Sequence, residues 1–141
     1  MNLLRRLKFL FLVLLIAGTA AGQAEAETSD VMALATLDRF MAAFNDQDIK
    51  AWAATLHYPH VRFASSQVMI YDSAATFQDR SVFPTLQAAG WHHSLWTSRT
   101  ITLSSDTKVH IDTEFERQNA NNHTIGRYRS LYIVTKKDGH W

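Results

Sequence analysis

Apolar residues recur every three or four positions from Ser29 or Asp30 to Phe44. Val31, Leu34, Leu37, Met41 and Phe44 share one side, a spacing that predicts an amphipathic helix. Ser29 or Asp30 is placed to cap its first N–H groups, and Asn45-Asp46-Gln47-Asp48 ends it. Asp48 is in turn placed to cap a second helix, which carries Ile49, Trp52, Ala53 and Leu56 on one side. Pro59 disfavours helical geometry at Tyr58, so this helix is expected to stop near His57. The period then changes to two: Val61 and Phe63 alternate with His60 and Arg62, and Ser65-Ser66-Gln67 turns the chain into Val68-Met69-Ile70-Tyr71, a predicted hairpin. Ser73 is placed to cap a short helical piece through Phe77, while Pro84 opens another that Gly90 ends.

Beyond Gly90 the pattern is that of long strands. Between Trp91 and Leu103 the odd positions hold Leu95, Ile101 and Leu103 and the even ones Ser94, Ser98, Thr100 and Thr102, which predicts an inward odd face. On that register Trp91 and His93 point inward and His92 outward, with Arg99 as a charge among the inward residues. After Ser104-Ser105-Asp106, Val109, Ile111 and Phe115 oppose a solvated row of His110, Asp112, Glu114 and Glu116. The last strand, from Ile125 to Thr135, is apolar on both sides near Leu131, Tyr132, Ile133 and Val134, which predicts a central position. Arg127 and Arg129 share one face of it and are placed to meet Glu114 or Glu116. Asp138-Gly139 marks a final tight turn. The order predicts an α+β domain, its N-terminal helices packed in the concavity of a strongly curved, mostly antiparallel sheet.

Residues 1–26 stand apart from this pattern. Arg5, Arg6 and Lys8 precede an apolar run from Phe9 to Ala17, and Ala24-Glu25-Ala26 supplies small residues at the positions a signal peptidase reads. They predict a signal peptide cleaved after Ala26, a single domain over residues 27–141, and a periplasmic or secreted location with no membrane attachment after cleavage. The run is shorter than the roughly 20 residues that span a bilayer. Of 14 basic and 13 acidic residues, Arg5, Arg6, Lys8 and Glu25 fall in the leader, leaving 11 and 12. A net charge near −1 with no basic face argues against nucleic acid as a partner. The chain has no cysteine, which excludes disulfides, thiol chemistry and a lipoprotein anchor.

The corner between the second helix and the hairpin gathers His57, Tyr58, His60 and Arg62 within six positions. A neutral imidazole is near the pKa wanted of a general base, and a tyrosine or second histidine can stabilise an enolate oxygen. His57, His60 and His93 are therefore the catalytic candidates, and Tyr58, Arg62 and Trp91 the ligand-binding ones. Against this stands a structural reading, in which each histidine is a core residue with one hydrogen bond and the tryptophans pack. His57 and His60 straddle Pro59, His92 and His93 point to opposite faces, and no carboxylate lies at ligand spacing, so no metal site is predicted. No motif for a cofactor is present either.

Phe40-Met41-Ala42-Ala43-Phe44-Asn45 ahead of an aspartate and a tryptophan-bearing helix, followed by Gly90-Trp91-His92-His93-Ser94, Ile125-Gly126-Arg127-Tyr128 and Asp138-Gly139-His140-Trp141, resembles the nuclear transport factor 2-like and SnoaL-like superfamily, in an exported bacterial branch. The likeness spans nearly all of residues 27–141. It implies a cystatin-like cone around a mainly apolar pocket for a small-molecule ligand, and a homodimer through the outer sheet face, where Trp96 lies among Ser and Thr. It also implies a final strand after the Gly-x-Trp turn, pairing within the sheet; that strand is expected to be missing here or replaced by another segment or subunit. The superfamily holds isomerases, dehydratases, cyclases and binding modules. Two function classes thus stand open: cofactor-free proton transfer of isomerase or dehydratase type, and non-catalytic ligand binding or dimerisation.

Overall fold

The computed structural model describes residues 28–64 and 66–141, so the leader read in residues 1–26 lies outside the described residues. Helix α1 (28–45) buries Ala33, Leu37, Met41 and Phe44, whereas Val31, expected on that face, is 60% exposed. Ser29 and Asp30 lie within the helix rather than at its cap. Their side chains tie it to the turn between the first two long strands: Ser29 Oγ donates to the Asp106 carbonyl at 3.4 Å, and Ser104 Oγ donates to the Asp30 carboxylate.

Helix α2 (Ile49–Ala54) starts as expected, with the Ala51 N–H donating to Asp48 Oδ1 at 2.9 Å. It ends three residues before His57, because the Thr55 hydroxyl and N–H both turn back onto the Trp52 carbonyl. Strands β1 (His60–Ala64) and β2 (Gln67–Tyr71) form the predicted antiparallel hairpin, with His60 opposite Tyr71. Helix α3 (Ala74–Gln78) carries a capping box between Ser73 and Thr76. Helix α4 (Phe83–Ala88) opens with its proline in the first turn and stops before Gly90, whose φ of +85° suits a residue without Cβ.

Strands β3 (His93–Ser105), β4 (Lys108–Gln118) and β5 (Thr124–Thr135) form an antiparallel meander with β4 in the middle. The central place expected for β5 is therefore corrected: it is an edge, and Leu131 and Ile133 on its outer side are 59% and 57% exposed. Two sheets result, with β1 and β5 lining opposite sides of a cleft.

The inward face of β3 also departs from strict alternation. Register shifts fall between Trp96 and Ser98 and again between Ile101 and Leu103, and each bulge exchanges the two faces. Ser94 and Trp96 therefore face inward in the first leg, Arg99 and Ile101 in the second, and Ser104 in the third. Leu103 is left 53% exposed. Arg99 is accounted for by α1: its Nη1 meets Asp38 Oδ1 at 2.5 Å and the Leu34 carbonyl at 3.4 Å. With Trp96 turned inward, the dimer surface expected around it does not have that residue on its outer face.

Two apolar clusters hold the layers together. At the sheet's turn end, Ala33 and Leu37 of α1 pack on Val109, Ile111 and Val134. At the other end, Phe44, Trp52, Phe77, Leu86 and Trp91 join all four helices to the start of β3. This is the α+β arrangement with N-terminal helices against antiparallel strands.

Candidate functional site

Strand β1 inverts the usual rule for a strand at a core. His60 and Arg62 are half-buried on its inner side, while Val61 and Phe63 are 45% and 79% exposed. Strand β4 does something similar at its end. Its inward positions run Val109, Ile111, Thr113 and Phe115 and then finish on Arg117, a half-buried charge in line with core residues. Placing charge inward is costly unless a partner compensates it, so these positions mark the site.

The two arginines meet a third, Arg80, which follows α3. All three line a small inner pocket together with Trp52, Trp96 and Tyr132. Its volume of about 50 Å³ has room for a few waters or a group about the size of a carboxylate. The ring centroids of Trp96 lie 5.9 Å from Phe115 and 5.7 Å from Tyr132, and Phe40 lies 5.5 Å from Tyr132, so the wall is a continuous set of edge-to-face aromatic contacts. Phe40, Trp52, Arg62, Phe115 and Tyr132 also border the larger cleft between β1 and β5, about 730 Å³ in volume. The two spaces thus share a wall. Among the described residues, no Asp or Glu lines either of them.

Aromatic faces hold two of the arginines in place. The Arg80 guanidinium lies 4.9 Å from the Phe77 ring, 5.2 Å from Trp52 and 5.4 Å from Tyr71. Arg117 lies 4.5 Å from the Tyr128 ring. Tyr128 in turn folds over Gly126, where a Cβ would stand 2.5 Å from the phenol oxygen, so glycine permits the close approach.

The field of this cluster is legible in its neighbours. Burial pushes the Arg80 pKa below the usual arginine range, the Tyr71 phenol opposes this, and the charge of Arg62 adds to the lowering. His60 is lowered by burial first and then by Arg62 and Arg80, which favours the neutral imidazole. Tyr132 is raised by burial, against the pull of Arg62 and Arg117. Three cations thus act on a common space.

Of the residues singled out from the sequence, His57, His60 and Arg62 border the cleft, and Arg62 also reaches the inner pocket. His57 is engaged through Nδ1 with Thr135 Oγ1 at 3.0 Å. Tyr58 packs against the helical core and donates to the Ala53 carbonyl at 2.9 Å, and burial raises its pKa. Trp91 is core as well, 3% exposed, donating to Ser94 Oγ at 2.9 Å. His93 borders neither space; its Nδ1 lies 3.2 Å from His92 Nδ1, so the expected inward placement of His93 is corrected by the register of the first β3 leg. The three histidines do not converge. Arg127 and Arg129 do form the expected ladder, meeting Glu116 at 2.7 Å, Asp112 at 2.8 Å and Glu114 at 3.5 Å on the exposed side.

Arg80, Arg117, Trp52, Trp96, Phe115 and Tyr132 were not singled out by the sequence as site residues. For Arg117 a signal exists, a charge continuing the Val109, Ile111 and Phe115 alternation. Arg80 has none, because it follows a helix too short for a face to be read.

Comparison with known proteins bears on the fold. A family model described as NTF2-like protein (DUF6841) matches residues 27–141. Among solved structures, a candidate calcium/calmodulin-dependent protein kinase II association domain from Xanthomonas campestris is 19% identical, with 79% of each chain covered and a TM-score of 0.54. A protein from Catenulispora acidiphila is 13% identical, covering 78% of this chain and 82% of its own, with a TM-score of 0.59. A Catenulispora acidiphila protein in complex with S-DNPA is 11% identical, covering 77% and 81%, with a TM-score of 0.56. At these identities the likeness is one of fold. No curated protein matches the chain.

Proposed function

Because this chain belongs to the NTF2-like protein family (DUF6841), we propose that it binds a small, largely apolar molecule in the aromatic pocket and the cleft beside it. The observation that carries this is the convergence of Phe40, Trp52, Trp96, Phe115 and Tyr132 on one recess, from two helices and three strands. Concave, mainly apolar spaces with a few placed polar groups are where small ligands bind. The Catenulispora acidiphila protein of the same fold in complex with S-DNPA supports the reading.

Binding is favoured over proton transfer. A general base needs an orienting partner, and among the described residues His60 makes no hydrogen bond through its ring, while His57 is held by Thr135. The neutral imidazole of His60 is suited to accept a hydrogen bond from a ligand.

Two tryptophans in the wall make the test direct. A panel of small aromatic and aliphatic alcohols, ketones and acids is screened by tryptophan fluorescence and thermal shift. Members that bind are expected to change the emission, and Trp96→Phe is expected to remove part of that change. A protein whose fluorescence and Tm respond to no member of the panel would lack the proposed function.

Export belongs to the same proposal. The basic and apolar pattern of residues 1–26, ending on Ala24-Glu25-Ala26, supports export, to a place where ligands arrive from the surroundings. Sequencing the N-terminus of the exported protein is expected to begin at Glu27; a chain retaining Phe9 to Ile16 would refute it.

A further inference from the structure

We infer that the ligand of this pocket carries a carboxylate, bound in the inner recess by Arg62, Arg80 and Arg117, with its apolar body lying in the adjoining cleft. The inference rests on the pocket reading above and adds the chemical class of what is bound. Its main support is an accounting of hydrogen bonds. Among the described residues, the buried side-chain polar atoms without a partner are Trp52 Nε1, Arg62 Nε, Arg80 Nη1, Trp96 Nε1, His110 Nε2 and Arg117 Nε. All but His110 belong to residues that line the inner pocket.

All five are N–H donors. Buried donors without acceptors are rare in folded proteins, because each one has given up its hydrogen bond to water with nothing in return. The residues that carry these five donors surround one recess, so an acceptor-only group that enters it, with the side chains shifting to meet it, is the group that pairs with them. The charges agree: the ion pairs of the described residues involve Arg99, Arg127 and Arg129, and none of the three pocket arginines takes part in one. Like charges gathered in a partly desolvated space repel one another, and an anion placed among them turns the repulsion into attraction.

The shape selects among anions. A recess of about 50 Å³ walled by indole and phenol rings accepts a planar group that guanidinium forks can grip edge-on, and the shared wall with the 730 Å³ cleft gives an attached apolar body a place to lie. A free inorganic anion would leave the aromatic walls unused. A neutral ligand would leave the three arginine charges uncompensated.

Phenylacetate, its neutral isostere phenylacetamide, and inorganic phosphate are the probes, titrated into the purified protein by calorimetry and tryptophan fluorescence. Phenylacetate is expected to bind at least tenfold more tightly than phenylacetamide and phosphate. Arg62→Met and Arg117→Met are each expected to weaken phenylacetate by roughly 10- to 100-fold and phenylacetamide by several-fold less, since the carboxylate loses a charged hydrogen bond and the amide a neutral one. The Tm of each free variant should stay level or rise, because a half-buried cation without an ion-pair partner has been removed. The comparison of acid with amide in the unaltered protein stands even if a variant fails to fold. Equal affinity for the amide would overturn the carboxylate inference and leave the apolar pocket standing. Tighter binding of phosphate would overturn the carboxylate as the class. Binding of none of the probes, with no change in fluorescence, would overturn the inference and count against the pocket reading as well.

Discussion

Replacing Trp52 with alanine is expected to cost about 3–5 kcal/mol of folding free energy, a large share of the roughly 5–15 kcal/mol that holds a domain of this kind together. Trp52 is 2% exposed, and its ring centroid lies 4.9 Å from Phe44, 4.9 Å from Phe77, 5.5 Å from Phe40 and 5.9 Å from Phe83. Those neighbours come from α1, α3 and α4, and Arg80 lies over its face as well. Truncation therefore opens a cavity on which three other helices border, and they cannot close over it without losing their own contacts. Urea unfolding checks the figure. A loss below about 1.5 kcal/mol would mean that the helices collapse into the space, and that Trp52 is not the piece they share.

The second large effect is expected at Asn45, the last residue of α1. Its Nδ2 donates to the Ser94 carbonyl at 2.8 Å and its Oδ1 accepts from the Ser94 N–H at 2.8 Å, so a single amide satisfies both backbone groups of a residue that is 3% exposed. Asn45→Ala leaves both unpaired, at about 1–3 kcal/mol each, for an expected loss of roughly 2–6 kcal/mol. Asn45→Asp keeps the acceptor for the N–H but sets a carboxylate against the carbonyl, and aspartate should be no better than alanine at neutral pH. Chemical denaturation of the two variants measures this. An alanine variant within about 0.5 kcal/mol of the parent would show that water replaces the amide.

These two residues show what the sequence discloses and what it conceals. The spacing of Trp52 on α2, the Asp48 and Ser73 caps, the β1–β2 hairpin and the three long strands are all readable from local pattern, because each depends on residues within a few positions. The register of β3 is not. Bulges near Thr97 and Thr102 exchange its faces twice, and neither position holds a residue type that announces one. This is why Trp96 turns up in the pocket wall and His93 outside it. The two-sided apolar stretch of β5 is equally ambiguous, since side chains cannot report whether a neighbouring strand is present. Of the candidate site, Arg62 and His60 were legible because they sit opposite apolar neighbours in a short alternating strand. The convergence of Arg80 and Arg117 on Arg62 depends on how the short helices pack across the sheet, which no local spacing encodes.

The pairing of strands has a kinetic consequence. Every described ladder joins neighbours in the chain, β1 with β2, β3 with β4 and β4 with β5, through turns of a few residues. Each hairpin can zip as soon as its own two strands exist, with little loop-closure entropy to overcome. Side-chain packing and side-chain hydrogen bonds link the distant parts: α1 against β4 and β5, and Asn45 to Ser94 across 49 positions. The backbone ladders are thus able to form early, which leaves the docking of preformed pieces around Trp52 and the pocket as the expected slow step. The recess proposed to hold a ligand is then the part of the structure expected to assemble last.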